Sequence, residues 1–347
     1  MSINLLKYLH DFYTYFRITL TALPKIYFAP FQGITTQVFR AVYARHFIGV
    51  DKLFTPYFSN FEPGCKLPPR KLTALKNQFE NGIEVVPQVL SKSAHEILWL
   101  AKCCEELGFK ELNWNLGCPY PQVASKKRGA GLLPYPGLLD EILDKVFSEI
   151  NIAFSVKCRL GYASADELKA FVPVFNRYPI SELTLHARIG KQLYSGQPDM
   201  EAFAEALTLI KQPLVYNGDI FSREDYNHFS SRFPSINLLM LGRGVLHNPF
   251  LPMLIKGIEL PEDPKTIIRK FVDELYFAYR EERDDNPSVL NAMKEYWAYL
   301  AESFDDPLRV FRKIREAKKF IDYEEAVADI YDAFKWEDND TTRTQQY

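Results

Sequence analysis

Cys118 is the residue whose surroundings most suggest chemistry. It stands in Asn115-Leu116-Gly117-Cys118-Pro119, where Gly117 permits a tight turn and Pro119 forbids continuation of a strand, so the thiol is held just past an apolar run. A thiol held there can act as a nucleophile or as an acid. Position, not residue type, separates it from Cys103, Cys104 and Cys158, which read as small buried hydrophobes. Lys157 interrupts another apolar run, and burying its charge is costly unless it meets an anionic or electron-rich ligand. A lysine snorkelling out of the strand end is the plainer alternative. Gln88 and His186, the latter beside Arg188, close similar runs and can hydrogen-bond a heteroaromatic ring or its sugar chain.

Gly242-Arg243-Gly244 follows an apolar strand and precedes a helix-forming stretch, a place where backbone N–H groups and a guanidinium can take phosphate. Alone it reads as a simple turn. Asn217-Gly218-Asp219 at the end of the preceding strand changes that weighting, because barrels commonly build phosphate sites from the loops after strands seven and eight. A phosphorylated cofactor is the expectation.

These residues need elements that bring distant segments together. Eight short runs of strand character alternate with helical stretches: Ile26 to Pro30, Lys52 to Pro56, Glu84 to Leu90, Glu111 to Gly117, Ser155 to Leu160, Glu182 to Ala187, Pro213 to Gly218 and Leu238 to Gly242. The class is α/β, a (β/α)8 TIM barrel, and nearly every run ends in an unusual polar residue, on the face where such barrels carry their sites. The barrel spans 25–257. Pro261, Asp263 and Pro264 then punctuate the chain, and a C-terminal all-helical domain follows over 265–336. Its predicted helices are Lys265 to Arg283, Ser288 to Ser303, Pro307 to Phe320 and Asp322 to Phe334. Residues 337–347 read as a polar, frayed tail. Residues 1–24 read as an N-terminal extension, helical and amphipathic, with Lys7, Asp11 and Arg17 interrupting any signal-peptide core.

With 47% hydrophobic and 25% charged residues, the 347-residue chain can bury a large core and does not read as a membrane protein. Forty-two basic residues against 44 acidic ones exclude a globally basic nucleic-acid binder, so any polyanion must meet a local patch. Two such patches exist. Lys126, Lys127 and Arg128 precede Gly129 and Gly131 in a flexible loop beside Cys118, and Arg312, Lys313, Arg315, Lys318 and Lys319 form a basic run within a predicted helix. A solvated surface loop is the ordinary alternative for the first. Five cysteines without zinc or disulfide spacing fit a reducing cytoplasm.

In combination, these motifs resemble the tRNA-dihydrouridine synthase family from Lys25 to the end of the helical unit. Ala29-Pro-Phe-Gln-Gly-Ile-Thr-Thr-Gln-Val-Phe-Arg40 is similar to the family's opening flavin loop, and Asn115-Leu-Gly-Cys-Pro119 to its catalytic cysteine loop. Lys157-Cys-Arg-Leu-Gly161, His186-Ala-Arg188 with Gln192, Tyr194 and Gly196, Asn217-Gly-Asp-Ile220 and Gly242-Arg-Gly244 follow in the family's order. The chain departs from the family at Phe31, where methionine is common, and at Ile189, where threonine is common.

The resemblance implies FMN held by Pro30, Phe31, Gln32, Gln88, Lys157, His186, Asn217, Gly218, Asp219, Gly242 and Arg243. It implies NADPH as reductant, hydride delivery to uracil C6, and Cys118 as the acid that protonates C5. tRNA is the expected partner of a monomer, touched by Asn115, Lys126, Lys127, Arg128, Arg159, Arg188, Arg312, Lys313, Arg315 and Lys319. Two other readings stay open: a barrel flavoprotein reducing a free small molecule such as a dihydropyrimidine, and an RNA-binding barrel that has lost catalysis.

Overall fold

The computed structural model describes residues 23–64 and 69–337. The predicted extension, apart from its last two residues, lies outside the described residues, as do Cys65 and all of the predicted tail after Glu337. The strands are β1 (Lys25–Phe28), β2 (Lys52–Phe54), β3 (Phe79–Glu80), β4 (Ile83–Val86), β5 (Gln88–Val89), β6 (Glu111–Leu116), β7 (Ala153–Gly161), β8 (Leu183–Ile189), β9 (Leu214–Asn217) and β10 (Leu238–Leu241). They are hydrogen-bonded in the order β3-β4-β2-β1-β10-β9-β8-β7-β6-β5.

The third predicted strand is split into β4 and β5 at Pro87, whose ring leaves no N–H for the ladder. Its carbonyl still accepts from Asn113 N–H at 2.9 Å. The halves therefore pair with β2 on one side and β6 on the other, in parallel register, and the ring closes as the (β/α)8 barrel expected. The short strand β3 was not foreseen. It pairs antiparallel with β4 through Asn81 (φ 47°) and Gly82 (φ 83°), the two positive-φ positions that a type I′ hairpin turn requires.

Parallel register sets the polar strand ends side by side: Asn115 beside Lys157, Arg159 beside His186, and His186 beside Asn217. Inside the barrel, Tyr27, Ala29, Phe54, Val86, Val215 and Met240 form a small apolar cluster. Glu111, Asn113 and Asn115, at alternate positions of β6, are also buried and make polar contacts across the interior.

The helical unit comprises Pro264–Glu282, Ser288–Leu300, Pro307–Glu316 and Phe320–Ala333. Asp263 caps the first helix by accepting from Thr266 N–H at 3.0 Å, with Pro264 in the first turn. The unit shares one continuous core with the barrel. Phe271 packs edge-on against Phe39 at 5.9 Å and Phe47 at 4.9 Å between ring centroids, and Tyr296 meets Phe39 at 5.4 Å.

Two predicted helices are shorter than expected. Ser288 to Ser303 ends in a 3₁₀ turn over Ala301–Ser303. Pro307 to Phe320 stops at Glu316 because Ala317 turns extended (φ −60°, ψ 125°), and Asp322 accepts the N–H groups of Lys318 and Lys319, both at 2.9 Å. The second basic run is therefore divided: Arg312, Lys313 and Arg315 ride the helix, while Lys318 and Lys319 lie in the connection after it. Among the described residues no helix is long and apolar enough to cross a membrane.

Candidate active site

The C-terminal strand ends converge on a cavity lined by Ala29, Pro30, Phe31, Lys157, His186, Tyr194, Asn217, Gly218, Asp219, Gly242 and Arg243. Nine of the eleven predicted cofactor residues are in that lining. Gln32 is exposed on the opening loop, and Gln88 is fully buried, its amide engaged by Asn113 and Asn115 at 2.8 and 2.7 Å. Tyr194 was not foreseen as a lining residue. Its ring stands near both the Arg159 and Arg243 guanidiniums, 5.4 and 5.2 Å from its centroid, as an electron-rich face between two cations does. The signal was its place six residues after Arg188, in a loop whose path sequence alone does not specify.

Asp219 organises the Arg188 and Arg243 side of the cavity. Its carboxylate takes Arg188 at 2.8 and 2.5 Å through two guanidinium nitrogens, and Arg243 at 2.7 Å. Arg188 is 1% exposed and also donates to the Gly196 carbonyl, so it stands as a buried strut inside the mouth and not on the outer surface. Arg159 is equally buried. It pins two loops by donating to the carbonyl of Gly117 (3.0 Å) after β6 and to those of Ile189 (2.9 Å) and Leu193 (2.7 Å) at the end of β8, which places it behind the cysteine loop and away from the outer surface.

Lys157 donates to Asn217 Oδ1 at 2.8 Å, and Asn217 in turn donates to the Met240 carbonyl at 2.7 Å. No ion pair to Lys157 is formed among the described residues. Burial, seconded by the Arg159 charge, brings its ammonium down to about 7. Burial and the same cations hold His186 well below its ordinary range, so the imidazole is neutral at pH 7.

Cys118 is 8% exposed, and burial raises its thiol above the ordinary value against the opposing pull of the Tyr120 backbone and of Arg159 and Lys157. The thiol is therefore protonated at neutral pH. Gly129 (φ 56°) lets the basic loop close over it, since a Cβ there would fall 2.6 Å from the Cys118 carbonyl oxygen and 2.8 Å from its Cβ. Cys104 and Cys158 are fully buried as expected, whereas Cys103 is only partly buried.

Asn115 sits at the cysteine loop, and Lys126 and Lys127 are exposed beside it. Lys127 lies over the Tyr135 ring at 4.1 Å, and Arg128 donates to Asn60 at 2.9 Å. Across the mouth, the helical unit contributes Tyr299, whose ring meets Phe31 at 5.9 Å, the position where the chain departs from the family pattern. Arg312, Arg315 and Lys319 are exposed, and Lys313 pairs with Asp329 at 3.1 Å.

tRNA-dihydrouridine synthase B of Pasteurella multocida is 27% identical over 235 residues, 67% of this chain and 69% of that protein. tRNA-dihydrouridine(16) synthase of Vibrio parahaemolyticus is 27% identical over 249 residues, 70% of this chain and 76% of its own. Among solved structures, histamine dehydrogenase from Rhizobium sp. 4-9 covers 92% of this chain and 64% of that one at a TM-score of 0.51 and 12% identity, a likeness of fold alone. The family model described as Dihydrouridine synthase (Dus) matches residues 27–334, from the first barrel strand to the last helix, and the chain belongs to that family.

Proposed function

We propose that this protein reduces the C5–C6 bond of uridine in tRNA, with FMN as cofactor, NADPH as reductant and Cys118 as the acid. The observation that carries the reading is a half-buried lysine with no carboxylate partner in the cavity lining, on the strand whose register sets it beside Asn115 at the start of the loop that holds the buried Cys118.

The residues present fit a phosphorylated, electron-rich cofactor. Four cations, Lys157, Arg159, Arg188 and Arg243, act on His186, and of these only Arg188 and Arg243 pair with the Asp219 carboxylate, leaving positive charge for an anion to neutralise. Arg243, Gly242 and Gly218 would hold the phosphate end, and Lys157, His186 and Asn217 the ring system. When bound and reduced, FMN supplies the hydride for uracil C6.

Cys118 delivers the proton to C5, and its raised pKa keeps that proton on sulfur until the ring is ready to take it. Lys157 and Arg159 act against this by favouring the thiolate, so burial of the loop is what preserves the acid. The target base must leave its stack to enter the mouth. The exposed Lys126, Lys127, Arg312, Arg315 and Lys319 are the contacts we assign to the tRNA backbone.

Cys118→Ala is the test. The variant is expected to bind flavin and accept electrons from NADPH while dihydrouridine formation drops by about 10²–10⁴-fold, the usual scale for losing a general acid. Full retained activity removes Cys118 from the chemistry.

A further inference from the structure

Glu111 begins β6 at the base of the barrel, and Cys118 follows that strand at the mouth. A continuous chain of side-chain hydrogen bonds joins them through the interior. Glu111 Oε2 takes the Lys52 ammonium at 2.7 Å and Oε1 accepts from the Ser155 hydroxyl at 2.5 Å. Ser155 Oγ accepts from Asn113 Nδ2 at 2.8 Å, Asn113 Oδ1 from Gln88 Nε2 at 2.8 Å, and Gln88 Oε1 from Asn115 Nδ2 at 2.7 Å. Asn115 Oδ1 then accepts the backbone N–H groups of Gly117 at 3.0 Å and Cys118 at 2.9 Å.

The two ends of this chain have no choice of role. A carboxylate paired with lysine can only accept, and a backbone N–H can only donate. The hydroxyl and three amides between them can each face either way, yet with both ends fixed only one direction satisfies every link. We propose that Glu111 is a positioning residue for Cys118: it sets the direction of a buried relay whose last acceptor, Asn115 Oδ1, holds the cysteine loop. The functional half of this rests on Cys118 being the proton donor.

Glu111→Gln tests it by changing one atom. Lys52 can only donate, so it draws the new amide's oxygen and leaves the NH₂ facing Ser155. Ser155 then accepts from residue 111, and once its proton passes to Asn113 each amide turns over and Asn115 Nδ2 comes to face the N–H groups of Gly117 and Cys118, donor against donor. A Ser155 oxygen that accepts from both neighbours leaves the amides unturned, and an unchanged alkylation rate would show that Glu111 does not set the direction. Ser155→Ala, by contrast, cuts the relay and leaves Asn115 free to keep its orientation.

The readout is alkylation of Cys118 by iodoacetamide in the flavin-loaded protein, followed on the Cys118 peptide by mass spectrometry across pH. In E111Q the rate is expected to rise about 10-fold, the scale of one misoriented buried hydrogen bond, with kcat for dihydrouridine falling and KM for tRNA kept. S155A is expected to stay nearer the parent. Adding Asn115→Asp to E111Q places an acceptor back at the loop and restores the parent alkylation rate, and this double variant carries the test if E111Q alone does not fold. Equal effects of E111Q and S155A, or no restoration by the second change, overturn the relay. Full activity of Cys118→Ala would instead overturn the role of the thiol, while the alkylation pattern still judged the relay.

Discussion

The two ends of the barrel interior treat charge in opposite ways. At the base, Lys52 bridges Glu111 at 2.7 Å and Glu182 at 3.3 Å, and Tyr27 donates to Glu182 at 2.8 Å, so each charge meets an opposite one. At the mouth, Arg188 and Arg243 share Asp219, Arg159 has only backbone carbonyls, and Lys157 has only an amide oxygen for company. The base uses charge to hold the fold. The mouth holds uncompensated charge that costs stability, the arrangement expected where a ligand supplies the missing anion.

The comparison breaks most visibly at Lys52. Lys52→Met leaves Glu111 and Glu182 without their cation and is expected to destabilise the chain by about 3–5 kcal/mol in urea unfolding, the scale for breaking a buried pair. A loss too small to resolve would mean that the base is as loosely compensated as the mouth.

Lys157→Met should do the reverse. Removing a half-buried ammonium that lacks an anion keeps or raises the stability of the flavin-free protein, while the dissociation constant for FMN rises by about 10-fold or more, since each ~1.4 kcal/mol of lost contact is tenfold. Flavin fluorescence titration of the variant checks it, and unchanged affinity would remove Lys157 from the cofactor site.

The pH dependence sharpens the same contrast. In the flavin-free protein Lys157 lies at about 7, below its ordinary 10.5, so its folded form is depressed and the associated stability is lost as pH falls from 10.5 through 7. Binding of an anion favours the protonated ammonium, so flavin affinity is expected to fall as pH rises above about 7. Titrations from pH 6 to 9 read both trends, and Lys157→Met should flatten each.

The smallest effect belongs to the outer surface. Neutralising Arg312 and Lys319 is expected to lower the slope of log affinity for tRNA against log salt by roughly one per charge removed. A slope that did not move would take this helix end out of the contact.

Strand alternation and polar residues at strand ends made the barrel and most of its mouth legible in the sequence, because both follow from local pattern. What was not legible depended on long-range partners. Arg188 and Arg159 read as substrate contacts from their charge, yet Asp219 and three backbone carbonyls bury them. Tyr194 joins the lining through a loop with no periodicity, and the β3–β4 hairpin rests on strands too short to register despite its Asn81-Gly82 turn. Gln88 sat at the expected strand end, but its engagement by Asn113 and Asn115 needs the neighbouring strand's register.

The most direct test of the account is the dihydrouridine content of unmodified tRNA after incubation with the purified protein, FMN and NADPH, measured by mass spectrometry with fragment mapping. New dihydrouridine at defined positions is the predicted result. Bound flavin that NADPH reduces while every uridine in a full tRNA pool stays intact would contradict it and leave the mouth to a free small molecule.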